Sequence, residues 1–289
     1  MIRGLAGRLR RTRVFGRESK REALRRLRFV LRWSALVEGP WSFAYAELTR
    51  HGSVGKCRPR GCAMDVYLRH DTTDLFVLIE IFGLGHYLPP PAMASRLAAL
   101  GRPLQVVDLG SHVGMFGAYA LSRFEGASVL GFEPDRNNLA LLRRCIAGSG
   151  AAGRWEVVEA FASTRDGSVE FLEGRMAESQ LAPPGSDGET CQVEARDVFP
   201  HLAGVDLLKL DIEGAEWPIL TDPRFAHLPL TGVLLEYHRN LCPEDDPLTL
   251  VTRILDGAGY TVSSFPTGWD PALGQGVIHA WRTRPAALA

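Results

Sequence analysis

The chain has 289 residues, 46% of them hydrophobic, with 33 basic and 33 acidic residues and a formal charge of zero. That length buries a large core and suits one large domain with extensions or two small ones. Five scattered cysteines, Cys57, Cys62, Cys145, Cys191 and Cys242, exclude a disulfide scaffold and point to a reducing compartment.

The charge is unevenly placed. Residues 1–32 carry twelve Arg or Lys against two Glu, so of the 33 of each sign 21 basic and 31 acidic residues remain beyond residue 32, a net of −10. The basic N-terminus is not followed by an uninterrupted apolar segment, so no signal peptide is expected. The most apolar run, Leu75 to Tyr87, holds Glu80 and two glycines and is too short to span a membrane. Thirty arginines against three lysines suit a GC-rich bacterial genome, so a bacterial cytoplasmic location is expected.

Residues 17–37 read as an amphipathic helix, with Leu24, Leu27, Leu31 and Ala35 at helical spacing beside an arginine-rich face. Such a helix packs on its own domain or on a dimer mate, or lies on a membrane or nucleic acid. Residues 1–60 are thus expected to form a basic helical extension. Membrane contact through residues 1–37 and a homodimer are both compatible with it. Residues 61–103 are expected to form a cap over a ligand mouth, with a strand and a helix ending at Pro89-Pro90-Pro91. His51, Cys57, Cys62 and His70 fit no familiar zinc spacing.

From residue 104 strands and helices alternate, which implies a parallel sheet. Strands are predicted near 104–109, 128–133, 155–159, 205–211, 231–237, 260–265 and 276–282, and helices near 114–124, 135–148, 214–220 and 247–258. Asp135 is a plausible N-cap, and Gly257-Ala258-Gly259 ends a helix. The last two strands, with Gly274-Gln275-Gly276 between them, read as an antiparallel closing pair. Residues 176–190, with Pro183-Pro184-Gly185-Ser186-Asp187-Gly188, read either as a variable surface connection or as a lid.

The first informative string runs from Val106 to Gly117. It is a buried strand carrying Asp108, a turn with Gly110, Ser111, His112 and Gly114, and a helix start. Gly110 and Gly114 would let the backbone approach a ligand at a helix N-terminus. Glu133, at the end of the next strand and 23 residues after Gly110, stands where an acid would meet ribose hydroxyls. His112 occupies the middle glycine position of G-x-G-x-x-G, which spoils a pyrophosphate cradle, and Asp108 would repel one. A nucleoside with a cationic end, S-adenosylmethionine (SAM), fits instead.

The second string is Asp206-Leu207-Leu208-Lys209-Leu210-Asp211-Ile212-Glu213-Gly214-Ala215-Glu216. Strand residues two apart share a face, so Lys209, Asp211 and Glu213 would point together, either as a structural ion pair or as a site that needs a compact ammonium. Strand ends at Asp108, Glu133, Ala160, Asp211 and Glu236 would surround a ligand. Ala160 and Phe161 would sit by the adenine, with Phe161 stacking on it or simply filling the core. Asp211, Glu213 and His238 are candidate bases for a hydroxyl acceptor. Asp211, Glu213 and Glu236 are also hard ligands compatible with Mg²⁺, but no dense acidic cluster favours a metal.

These strings resemble the FkbM family of SAM-dependent methyltransferases. The resemblance lies in residues 206–216, in the loop Asp108–Gly114, in Phe132-Glu133-Pro134, and upstream in Arg69-His70-Asp71-Thr72-Thr73-Asp74 and Tyr87. It covers about 60–289. His112 stands where the family usually has asparagine, and Ala195-Arg196-Asp197 is an imperfect S-L-D. The resemblance implies a class I methyltransferase domain at 104–289: α/β, Rossmann-like, a doubly wound and mostly parallel seven-stranded sheet behind an N-terminal helical and strand extension. It implies SAM as cofactor, with Pro134, Thr73, Asp74 and Tyr87 joining the cofactor-binding residues and Lys209, Asp211, Glu213 and His238 as catalytic candidates. It also implies O-methylation of a hydroxyl on a sugar, glycolipid or polyketide-type product. The alternatives are a nucleic-acid methyltransferase using the basic head, which lacks an N/D-P-P-Y/F signature, and a non-catalytic SAM-binding partner in a biosynthetic complex.

Overall fold

The computed structural model describes residues 20–151, 153–172, 174, 180–181, 190–264 and 275–282. The polar loop at 176–190, read as a surface connection or a lid, the Gly274 turn and residues 1–19 of the basic head lie, wholly or largely, outside them.

Helices α1 (Lys20–Ser34) and α2 (Pro40–Thr49) are followed by a hairpin of β1 (Val54–Cys57) and β2 (Val66–Arg69). The expected boundary at residue 60 falls inside this hairpin, because Val54 pairs with Arg69 and Cys57 with Val66. The 1–60 and 61–103 segments are therefore joined by backbone hydrogen bonds. Helix α2 is unpredicted, though Gly39 in a left-handed conformation and Pro40 at the first turn are a start signal. Helix α3 (Asp74–Leu78) runs on into a π-helical turn, Ile79–Leu84, and α4 (Pro91–Ala99) follows.

The main sheet contains β3 (Gln105–Leu109), β4 (Ser128–Phe132), β5 (Trp155–Val158), β10 (Leu207–Leu210), β11 (Gly232–Tyr237), β12 (Tyr260–Ser264) and β13 (Gly276–Arg282). Its order is β12-β13-β11-β10-β3-β4-β5, parallel except for β13, which runs antiparallel to both neighbours. This is the doubly wound, Rossmann-like arrangement expected from the alternation. The central strands β10 (LLKL) and β11 (GVLLEY) are buried at every position because helices cover both faces. Those helices are α5 (Met115–Arg123), α6 (Arg136–Gly148), α7 (Glu216–Thr221), α8 (Pro223–Ala226) and α9 (Pro247–Gly257). Asp135 caps α6 as expected, accepting from the backbone N–H groups of Asn137 and Asn138.

Between β5 and β10 the chain builds a second sheet that the sequence reading missed. It consists of β6 (Phe161–Ser163), β7 (Gly167–Leu172), β8 (Gln180–Leu181) and β9 (Thr190–Asp197), in the order β6-β9-β7-β8. No helix among the described residues is long and apolar enough to cross a membrane.

Strand order reverses between β3 and β10. After β3 the chain winds outward through β4 and β5, then returns to lay β10 on the other side of β3. A crevice beyond the carboxyl ends of the strands at such a switch point is where an open α/β sheet binds ligands.

Candidate functional site

At that switch point a partly open cavity forms. Its floor comes from the ends of β3, β4 and β10, and one wall from the segment that includes Val77, Glu80, Ile81 and Tyr87.

The parallel register sets Lys209 level with Asp108. The Lys209 Nζ lies 3.2 Å from Asp108 Oδ1 and 3.6 Å from Asp211 Oδ2, and donates to the carbonyls of Gly110 (2.6 Å) and Leu109 (3.3 Å). One ammonium thus ties two strand ends together. Burial opposes its charge, but the two aspartates outweigh it and raise its pKa. Asp108 is raised as well, because burial exceeds what a cation shared with Asp211 returns. Asp108 is therefore a buried counter-ion beneath the floor and does not line the cavity; Lys209, Asp211 and Glu213 do. The Tyr87 hydroxyl donates to Asp211 Oδ2 at 2.9 Å and to Glu236 Oε2 at 3.3 Å.

Both motif glycines have left-handed φ, +82° and +91°. The close approach they permit is not the one expected. A Cβ on Gly110 would run into the Asp211 carbonyl oxygen, and one on Gly114 into Leu142 and Trp155. Gly110 lines the cavity, whereas Gly114 serves helix packing and does not. Ser111 and His112 line it, and His112 itself adopts φ +51°.

Glu133 and Pro134 form the opposite side. The Glu133 carboxylate accepts from the His112 backbone N–H at 2.7 Å, from that of Asp135 at 2.9 Å and from Asn138 Nδ2 at 3.3 Å. Burial outweighs these bonds and pushes its pKa up to about 8. Phe132, Phe161, Ala162 and Phe171 add an apolar side, with the Phe161 and Phe171 rings 6.2 Å apart. Ala160 is buried and outside the lining. Phe171 comes from the unforeseen second sheet.

Asp74 and Thr73 stand behind the site. Asp74 is fully buried, taking Arg69 Nε at 2.8 Å and Nη2 at 2.9 Å, with His112 Nε2 at 3.1 Å. Burial opposes its charge, yet His112 and Arg69 hold it well below the usual carboxylate range. Arg69 also donates to Asn138 Oδ1 at 2.7 Å. The chain Asp74–Arg69–Asn138–Glu133 thus braces the Gly110–Gly114 loop from behind. Thr72, rather than Thr73, completes the turn: its hydroxyl donates to the Arg69 carbonyl and accepts from the Asp74 N–H.

His238 differs most from expectation. It is buried, outside the lining, and held by Glu216 (Nδ1 to Oε1, 3.0 Å), Glu213 (Nε2 to Oε2, 3.6 Å) and Glu236 (Nε2 to Oε1, 3.8 Å). Burial works against a charge there, but the carboxylates prevail and push its pKa up to about 10. Three carboxylates favour its charged form and the ring stands outside the cavity lining, which makes His238 a poor proton acceptor for a bound hydroxyl. His238 instead fixes Glu213, whose backbone is left-handed at φ +54°.

Glu216, unflagged by the sequence, accepts from the backbone N–H groups of Ile212 and Gly214 and shapes the loop that carries Glu213. Single ligand atoms of Asp211, Glu216 and His238 lie within 4.8 Å of one another. A metal would need neutral imidazole, and Glu216 is already committed to backbone donors. Of the residues whose spacing fits no zinc pattern, His51 meets Asp71, His70 meets Glu47 and Cys62 meets Ser122.

The donor set fits SAM. Glu133 suits a diol, the aromatic side suits a purine, and Asp211 and Glu213 suit an ammonium and a sulfonium. The family model of the methyltransferase FkbM domain matches residues 108–262. The 31-O-demethyl-FK506 methyltransferase FkbM of Streptomyces tacrolimicus is 28% identical over 222 residues, covering 64% of this chain and 83% of that protein. Methyltransferase 1 of Beauveria bassiana (strain ARSEF 2860) is 22% identical over 192 residues, covering 57% and 76%. Among solved structures, methyltransferase FkbM from Methylobacillus flagellatus KT is 17% identical with a TM-score of 0.41, covering 89% of this chain and 58% of that one.

Proposed function

The chain belongs to the FkbM methyltransferase family, and from that premise we propose that it transfers a methyl group to a hydroxyl oxygen of a sugar, glycolipid or polyketide-type acceptor. The SAM dependence is that of the family. The oxygen acceptor is supported by the Streptomyces relative, a 31-O-demethyl-FK506 methyltransferase, and by a cavity that offers carboxylates as proton acceptors.

The observation that carries the reading is the pairing of Glu133 with Asp211 and Glu213 across one cavity, over a Lys209 that is already used up by the protein itself. Bound SAM would supply a methyl carbon on a positively charged sulfur. Glu133 would hold the ribose, and Phe132, Phe161 and Phe171 the purine. Asp211, set by Tyr87 and Lys209, would orient the acceptor hydroxyl or take its proton, with Glu213 beside it. Holding both reactants in line contributes on the order of 7–11 kcal/mol, and a positioned base roughly 10²–10⁴ in rate. Lys209 and His238 act as positioning residues.

Calorimetric titration with SAM and its demethylated product tests the cofactor; absence of heat and of thermal shift with both overturns the reading. A mass-spectrometric scan of hydroxyl acceptors, with Asp211→Asn as control, tests the chemistry. Methylation only at nitrogen or carbon overturns the oxygen assignment.

A further inference from the structure

Helix α1 presents two adjoining stripes outward. Leu24, Leu27 and Leu31 are exposed at 47%, 37% and 39%, large values for leucine on a folded surface. One step round the helix stand Arg21, Arg25, Arg28 and Arg32, all exposed, with Lys20 at the end. Among the described residues no carboxylate pairs with Lys20, Arg21, Arg25 or Arg28, whereas Arg26, on the inward side, is taken by Asp71 at 3.1 Å. The neighbouring α2, which packs on α1, exposes Trp41 at 77% and Tyr45 at 61%. The inward face of α1 is well seated: Phe29 meets Phe76 at 5.7 Å between ring centroids, and Trp33 lies against Gly83. The outward leucines are therefore not needed to hold the helix in place.

We infer that the outer face of α1 and α2 docks on an anionic phospholipid surface. A stripe of leucines beside a row of arginines, with an exposed tryptophan and tyrosine, is the composition of an interfacial helix. Twelve basic residues in the first 32, against two acidic, match a negatively charged leaflet. Location reinforces this. Helix α1 rests on Phe76 and Gly83, in the same segment whose Val77, Glu80 and Ile81 line the cavity. Docking would bring that wall close to the lipid surface and suit an acceptor held there.

The test is co-sedimentation of the full chain with phosphatidylcholine vesicles, with and without phosphatidylglycerol. Binding is expected only to the anionic vesicles, with a blue shift in emission that Trp41→Phe removes. The triple variant Arg21→Glu, Arg25→Glu, Arg28→Glu should lower the partition coefficient more than about tenfold. The double variant Leu27→Glu, Leu31→Glu should abolish the part of binding that survives high salt. SAM titration, unchanged in each variant, separates this result from the proposed activity. Equal partition of the triple variant, or no partition on anionic vesicles, overturns the inference. So does RNA displacing the vesicles, or a dimer that Leu27→Glu dissociates.

Discussion

Replacing Lys209 by methionine keeps the length and apolar stem of the side chain and removes one buried charge. At an effective dielectric of about 20, each of its contacts at 3.2 and 3.6 Å carries about 5 kcal/mol of attraction, offset by several kcal/mol of ammonium desolvation. The variant leaves Asp108, only 1% exposed, without its counter-ion. Breaking a buried pair in this way costs about 3–5 kcal/mol, or roughly 6–20 °C of melting temperature in a domain of this size. The double variant Lys209→Met, Asp108→Asn removes the stranded charge and should recover most of that loss. Cofactor affinity should not recover with it, because the Leu109 and Gly110 carbonyls and Asp211 would still lack the group that gathers them. Calorimetric melting and SAM titration on the three proteins decide the matter. A single variant that melts within about 2 °C of the parent, or a double variant that regains full affinity, would refute the reasoning.

Glu133→Gln should weaken SAM binding roughly 10- to 100-fold by titration calorimetry, as loss of hydrogen bonds to a charged group does. Because the free Glu133 carboxyl titrates near 8 and ribose hydroxyls favour its ionised form, affinity should rise with pH up to about 8 with proton release, and the glutamine variant should lose this slope. His238, at about 10 when folded against 6.5 ordinarily, contributes stability in full below 6.5 that is lost as pH rises through 10. Urea midpoints of the parent and His238→Gln should therefore converge across that window, and a pH-independent gap would count against it. The rate profile should show no His238 limb near 6.5. Asp211→Asn should lower turnover by about 10²–10⁴ and lower the melting temperature less than Lys209→Met does, because Lys209 keeps Asp108; full activity would remove it from the reaction.

The central strands β3, β4, β10, β11 and β13 were legible as short, mainly apolar and largely buried runs between turn signals, and the half-exposed edge strands β5 and β12 by their place in the alternation. The second sheet was also written in the chain, as the alternation of Cys191, Val193 and Ala195 and of Val169 and Phe171, but its strands are half polar and the connections 173–179 and 182–189 interrupt the pattern. The site was legible as residue types rather than as roles. Asp108, Lys209, Asp211 and Glu133 stand where the motifs put them. The register that sets Lys209 against Asp108 belongs to two strands 100 residues apart, and neither string contains it. His238 looked like a base because a lone histidine at a strand end carries no sign of the three carboxylates that surround it. Asp74 and Gly114 were assigned to the ligand because motif positions do not distinguish a residue that touches it from one that supports its neighbour.

The wall built by Val77, Glu80, Ile81 and Tyr87 precedes the family-matched stretch, which begins at Asp108. The carboxylates Glu133, Asp211 and Glu213 thus lie in a later length of chain than this wall, and Tyr87 links the two through Asp211 and Glu236. The π-helical turn at Ile79–Leu84 can gain or lose a residue and re-aim the wall without disturbing the salt-bridged floor. Swapping residues 77–84 between homologues, with Tyr87 kept on Asp211, is the economical way to redirect such an enzyme to a new acceptor.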